Sequence, residues 1–216
     1  MRDKITYLGQ SYPVDLDKGL VGTLTDEEIE KYSKGVNQRL NDESFGNNNL
    51  IFFNQNHAVR YRKSNILWRI EQTNICLQNY FVGNDLITNR LGAPEMQGVY
   101  FGEKTLKPFL VMEKLNLKKI GFLNVNEKRI LFNDYYNSLE KIQGLGYNNI
   151  SNDTSIRRNF EFDIIKKSGV FFDFDDWKSE HFIPQLNEKG ELITQNPVRM
   201  FSRNPQRNKQ EGELIR

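Results

Sequence analysis

Gly169-Val170-Phe171-Phe172-Asp173-Phe174-Asp175-Asp176-Trp177 closes a segment that opens at Asn148-Asn149-Ile150-Ser151-Asn152-Asp153. Together they read as turn, strand, tight turn, strand, with strands predicted near Phe160–Ile164 and Val170–Phe174. Three carboxylates then crowd the place where the second strand stops. Like charges so close are costly unless something offsets their repulsion, and a divalent cation is the usual offset. At this level the aspartates read equally as a solvated strand end, and Asp153 as the cap of a turn after a helix.

Upstream, Asn126–Leu145 has helical spacing, with Ile130, Leu131, Tyr135, Leu139 and Ile142 inward and a stop at Gly144 and Gly146. Strands are predicted at Val99–Phe101 and Phe109–Met112, and Leu91-Gly92-Ala93-Pro94 is a helix stop before them. A long helix is expected from Ser64 or Asn65, interrupted at Gly83-Asn84-Asp85. Before it, Leu50–Phe53 and Ala58–Arg62 form a hairpin around Asn54-Gln55-Asn56-His57. In its second strand Val59 and Tyr61 alternate with Arg60 and Arg62, so one face is cationic, as exposed edge strands also are. Thr25 and Glu28 make a capping box for a helix running to about Leu40. Residues 1–23 are expected as an arm with one short strand at Lys4–Leu8. Residues 187–216 are expected as an extended tail whose Arg199–Arg207 cluster suits a nucleic acid, an acidic partner or plain solvent.

Composition narrows the class. In 216 residues there is one cysteine, Cys76, which excludes an internal disulfide and a cysteine zinc site. The two histidines, His57 and His181, are far apart in sequence. A net charge of +2 compels no nucleic-acid binding. No long apolar run occurs, so the expectation is a soluble chain with no membrane partner, cytoplasmic or virion-associated.

In order, the middle of the chain is hairpin, long helix, Leu91-Gly92-Ala93-Pro94, hairpin, acidic linker, long helix, Asn/Asp loop, hairpin, Asp173-Phe174-Asp175. This order resembles the protein-kinase-like superfamily, especially its small aminoglycoside-phosphotransferase, RIO and lipopolysaccharide-kinase branch. Leu91 to Phe101 looks like the segment leading into the fourth strand of an N-lobe. Pro108-Phe109-Leu110-Val111-Met112-Glu113-Lys114-Leu115 looks like the fifth strand and the hinge. Leu139 to Tyr147 is similar to the helix before the catalytic loop. The likeness covers roughly 45–177. It implies an α+β, bilobal kinase-like fold: an N-terminal arm and helix (1–44), a small antiparallel N-lobe sheet (45–115), a reduced helical C-lobe (116–180) and an extended tail (181–216).

The same resemblance implies the roles. Asp153 would orient the acceptor hydroxyl, and Asn159 and Asp173 would hold Mg²⁺. Arg60 would contact ATP phosphates with Glu71 as its acidic partner, and Glu113 and Leu115 would frame adenine. Phosphoryl transfer asks the protein mainly for positioning and charge stabilisation. The sequence departs from the pattern at several points. Phe45-Gly46-Asn47-Asn48-Asn49 stands where a glycine-rich loop belongs, and Arg60 where a lysine belongs, with different reach and shape. Ser151-Asn152-Asp153 lacks the family's histidine, and Asn159 comes one residue late. Two functions are therefore expected: an ATP/Mg²⁺-dependent phosphotransferase, or a non-catalytic kinase-derived (pseudokinase) protein of a virion or ribonucleoprotein that docks through its terminal arms.

Overall fold

Alternation along His57-Ala58-Val59-Arg60-Tyr61-Arg62 decides how the main sheet is covered. The computed structural model describes residues 3–14, 19–38, 49–53, 56–62, 69–102, 107–148 and 159–195. Five antiparallel strands form that sheet: β3 (Gly19–Gly22), β4 (Asn49–Phe53), β5 (His57–Arg62), β6 (Met96–Phe101) and β7 (Pro108–Glu113), in the order β3-β6-β7-β5-β4. Val59 and Tyr61 point to one face, where Tyr32 and Val36 of helix α1 (Asp26–Gln38), with Leu24 just before it, cluster with them and with Tyr100, Phe109 and Val111. Arg60 points to the other face, as period-2 side chains must. That face is covered by helix α2 (Arg69–Thr88), whose Leu77, Phe81 and Leu86 are fully buried.

The described helix α2 runs unbroken through Gly83-Asn84-Asp85, against the expected interruption. A Cβ on Gly83 would lie 2.4 Å from Met96 Cε, so this glycine lets the helix approach β6 closely. Asp85 stays in the helix because its carboxylate is satisfied internally: Oδ2 accepts from Tyr147 Oη at 2.7 Å and Oδ1 from Asn89 at 3.1 Å.

The second half is built on helix α3 (Val125–Gly144), which opens with a capping box between Asn124 and Glu127. Against it lies a three-stranded antiparallel sheet of β8 (Leu117–Lys118), β10 (Phe160–Asp163) and β11 (Ser168–Phe171), in the order β11-β10-β8. Tyr135 of α3 meets Phe160 and Phe171 with ring centroids 5.3 and 6.1 Å apart. The short strand β9 (Tyr147–Asn148) pairs with β12 (Lys178–Ser179).

Both ends differ from expectation. Instead of an arm with one strand, residues 3–14 form a hairpin of β1 (Asp3–Tyr7) and β2 (Gln10–Val14). Leu8 and Gly9 both have positive φ, 46° and 79°, as a two-residue type I′ turn requires. Ile5, Tyr7, Tyr12 and Val14 from this hairpin are buried in the main core. Within the stretch expected as tail, β13 (Gln185–Leu186) and β14 (Leu192–Ile193) form a hairpin, tied to α2 by two hydrogen bonds between Asn74 and the Leu186 backbone. No described helix is long and apolar enough to cross a membrane. The architecture is mixed α+β, with three helices among the described residues.

Candidate functional site

Arg60 is where the two halves meet. Its guanidinium is nearly buried, with the side chain 8% exposed, and a buried charge is costly unless paired. Its partners come from the turn after β11: Nη2 lies 2.6 Å from Asp175 Oδ2 and 3.0 Å from Asp173 Oδ1. Nη1 donates to Asn79 Oδ1 of α2 at 3.2 Å. Burial pushes the Arg60 guanidinium down, but the two carboxylates more than offset this, so it stays charged. Beneath it a cavity of about 10 Å³, bounded by Ile75, Cys76 and Leu110, holds at most one water.

Asp173 and Asp175 are not equivalent. Burial pushes the Asp175 carboxyl up, but Arg60 and hydrogen bonds from its neighbours outweigh that and hold it below the ordinary range. Asp173 is pushed up, first by burial, against the pull of Arg60 and with a further push from Asp175. Its Oδ1 is buried and accepts no hydrogen bond; Arg60 Nη2 faces it at 3.0 Å as a charge without an aligned N–H. Asp173 also has φ +64°, a left-handed conformation uncommon for a residue with a Cβ and adopted more readily by Asp than by most. Sparsely populated conformations cluster at functional sites.

The turn is held from two sides. Asn159 Nδ2 donates to the Asp173 carbonyl at 3.3 Å, and its own carbonyl accepts from Phe172 N at 3.0 Å. From α2, Gln78 Nε2 donates to the carbonyls of Phe174, Asp175 and Trp177 at 2.6, 3.1 and 2.9 Å. Phe174 is fully buried and meets Trp177 edge to face.

Of the residues singled out from sequence, Arg60, Asn159 and Asp173 thus come together. Glu71 does not join them: it is exposed, on the wall of a groove of about 1940 Å³ that also touches Gln78, Asp175 and Asp176. Glu113 stands three ladder positions along β7 from Leu110, the residue opposite Arg60. Its carboxylate takes Lys166 Nζ at 2.6 Å and Glu95 N at 3.1 Å, and Leu115 just beyond is half-buried. Asp153, Trp68 and the Arg199–Arg207 cluster lie outside the described residues.

Sequence reasoning passed over Gln78, Asn79 and the pairing role of Asp175. The available signal was two adjacent amides on a helix whose neighbours, Leu77, Tyr80 and Phe81, are all core residues. A buried amide such as Asn79 must be spent on specific partners.

Asp173 and Asn159 fit a Mg²⁺ ion only in company. Among the described residues no group of three or more His, Cys, Asp or Glu could hold a metal. Mg²⁺ is commonly held by one or two carboxylates plus substrate phosphates; here Asp173 Oδ1 is buried with the Arg60 guanidinium 3.0 Å away, so a protein cation already faces that oxygen. No protein-family model matches the chain, and no curated protein matches it in sequence.

Proposed function

We propose that this chain is an ATP- and Mg²⁺-dependent phosphotransferase on a bilobal, kinase-like plan. The observation that supports this best is the meeting of Arg60, Asn159 and Asp173, with Asp173 in a left-handed conformation and its Oδ1 unbonded. Asp173 and Asn159 would hold the Mg²⁺ with nucleotide phosphates, and Arg60 would face those phosphates. Glu113 and Leu115, at the end of β7, would frame the base. Mg²⁺ would supply charge neutralisation, and the chain's own part is to keep these groups aligned.

A second reading has its own observation. Arg60 already bridges both carboxylates, so a protein cation stands where a metal was expected. A kinase-derived assembly protein would keep that ion cluster as a structural clamp and dock through its ends.

Thermal denaturation separates the two. At a hundredfold excess of MgATP over its Kd, binding to the native state raises Tm by roughly 5–10 °C for a chain of this size. Asp173→Ala is expected to lose that shift. An unchanged Tm at saturating ATP and Mg²⁺ rejects the phosphotransferase and favours the assembly protein.

A further inference from the structure

We propose that the outer face of helix α3 is an interaction surface for α3 of a second copy of this chain, the two helices antiparallel about a two-fold axis near residue 134. This goes beyond the phosphotransferase reading and does not rest on it, since neither Arg60 nor the acidic turn takes part.

The inner face of α3 is accounted for. Leu131, Ser138 and Ile142 are buried, and Tyr135 meets the rings of Phe160 and Phe171. The outer face carries Val125, Arg129, Phe132, Tyr136 and Glu140, at the i, i+4, i+7, i+11, i+15 spacing that keeps residues on one stripe of a helix. On a surface helix such a stripe is polar. Here its three apolar members stand in solvent: Val125 is 87% exposed, Tyr136 65% and Phe132 38%. Apolar residues scattered singly over a surface are ordinary, whereas a contiguous run of them marks an interaction site. Tyr136 is also held in place, its ring packed edge to face on Tyr135 at 5.5 Å. A side chain ordered in advance loses little entropy when a partner covers it.

The charges on the stripe choose the occupant. Arg129 lies toward the N-terminal end, Glu140 toward the C-terminal end, and Phe132 and Tyr136 between them. In an isologous contact one patch serves both sides. With the axis beside residue 134, Phe132 faces Tyr136 of the second copy and Arg129 faces its Glu140, and both pairs occur twice. The two kinds of pair share one centre to within a single position. A parallel pairing would instead set arginine on arginine and glutamate on glutamate. A uniformly acidic or basic partner would match one end of the stripe and repel the other. The stripe is thus complementary to itself, reversed. A 20-residue helix is about 30 Å long, and one such seam is smaller than a standard interface. The dimer is therefore expected to be weak, with a Kd on the order of 10 μM.

The test is sedimentation velocity of the full chain from about 1 to 200 μM, which brackets that Kd. Wild type is expected to pass from monomer to dimer across the range. Tyr136→Glu should raise the Kd at least about tenfold and leave Tm within a few degrees, because the residue is exposed. Arg129→Glu and Glu140→Arg should each weaken the dimer about tenfold. Mixed one to one, those two variants set acid against base at both ends of the seam, and the mixture should recover the wild-type Kd within about threefold. A wild type that stays monomeric throughout overturns the proposal. So does a dimer that survives Tyr136→Glu, or a mixture no tighter than its components. A monomer whose Tm falls by many degrees on Tyr136→Glu shows that the chain covers this face itself, and overturns it equally. The MgATP shift is read separately, so either idea can fail without the other.

Discussion

A guanidinium on the inner face of β5 pairs with two carboxylates more than a hundred residues away, and the surrounding amides serve that contact. The cationic stripe of β5 and the strand-end aspartates were both legible from sequence, through period-2 alternation and the density of like charge. Their pairing was not, because no local rule relates residue 60 to residues 173 and 175. Nor was the choice of partner: Glu71 lay nearer in sequence, but the helix carries it to the exposed side. Arg60→Ala leaves Asp173 and Asp175 facing each other, partly buried. Breaking a buried pair costs about 3–5 kcal/mol, and the partial exposure of Asp173 discounts this to about 3 kcal/mol. Urea denaturation measures it, and a loss below about 1 kcal/mol would show that the cluster is only surface chemistry.

Elements were read with most success where a cap or a stop was written locally. Thr25 and Glu28 form the expected box: Thr25 N donates to Glu28 Oε2 at 2.9 Å, and Glu28 N to Thr25 Oγ1 at 3.4 Å. The Leu91-Gly92-Ala93-Pro94 stop is real, and Gly92 has a second task invisible in sequence. Its carbonyl accepts from Phe171 N at 2.9 Å, and a Cβ there would lie 2.1 Å from the Gly169 carbonyl oxygen. That close approach seats β11, and with it the acidic turn, against the first half of the chain. Gly92→Ala must therefore push backbone from backbone and is expected to destabilise by roughly 2 kcal/mol or more. Gly144→Ala is the control: a Cβ there meets nothing within 4 Å, and alanine at a helix end is neutral or stabilising, by up to about 1 kcal/mol. Equal melting of the two variants would refute the packing role of Gly92.

At the scale of the molecule, the N-terminal hairpin is core rather than appendage. Tyr12 meets Phe81 and Tyr80 edge to face at 5.2 and 5.7 Å, and Tyr7 Oη lies 3.3 Å from Tyr147 Oη. Burying Ile5, Tyr7, Tyr12 and Val14 contributes about 1.5–3 kcal/mol each, against a typical net domain stability of about 5–15 kcal/mol. A chain lacking residues 1–14 is thus expected to lose its cooperative thermal transition by circular dichroism. A melt within a few degrees of the full chain would restore the description of these residues as an arm. The alternation Ile5-Thr6-Tyr7 and Tyr12-Pro13-Val14 around Leu8-Gly9 was the available clue. It was too short to outweigh the glycine- and proline-rich setting.

Sequence alone determined what depends on neighbours along the chain: strand alternation, helix caps and stops, the order of elements, and the pile-up of acid after β11. Tertiary structure alone decided what depends on neighbours in space. It turned Arg60 of β5 inward under α2, supplied Asn79 and Gln78 to the acidic turn, and made a buried arginine the counterion of two aspartates. The reason is the range of the forces involved. Backbone preference acts over a few residues, whereas burial makes a charge seek its partner wherever the fold has placed one.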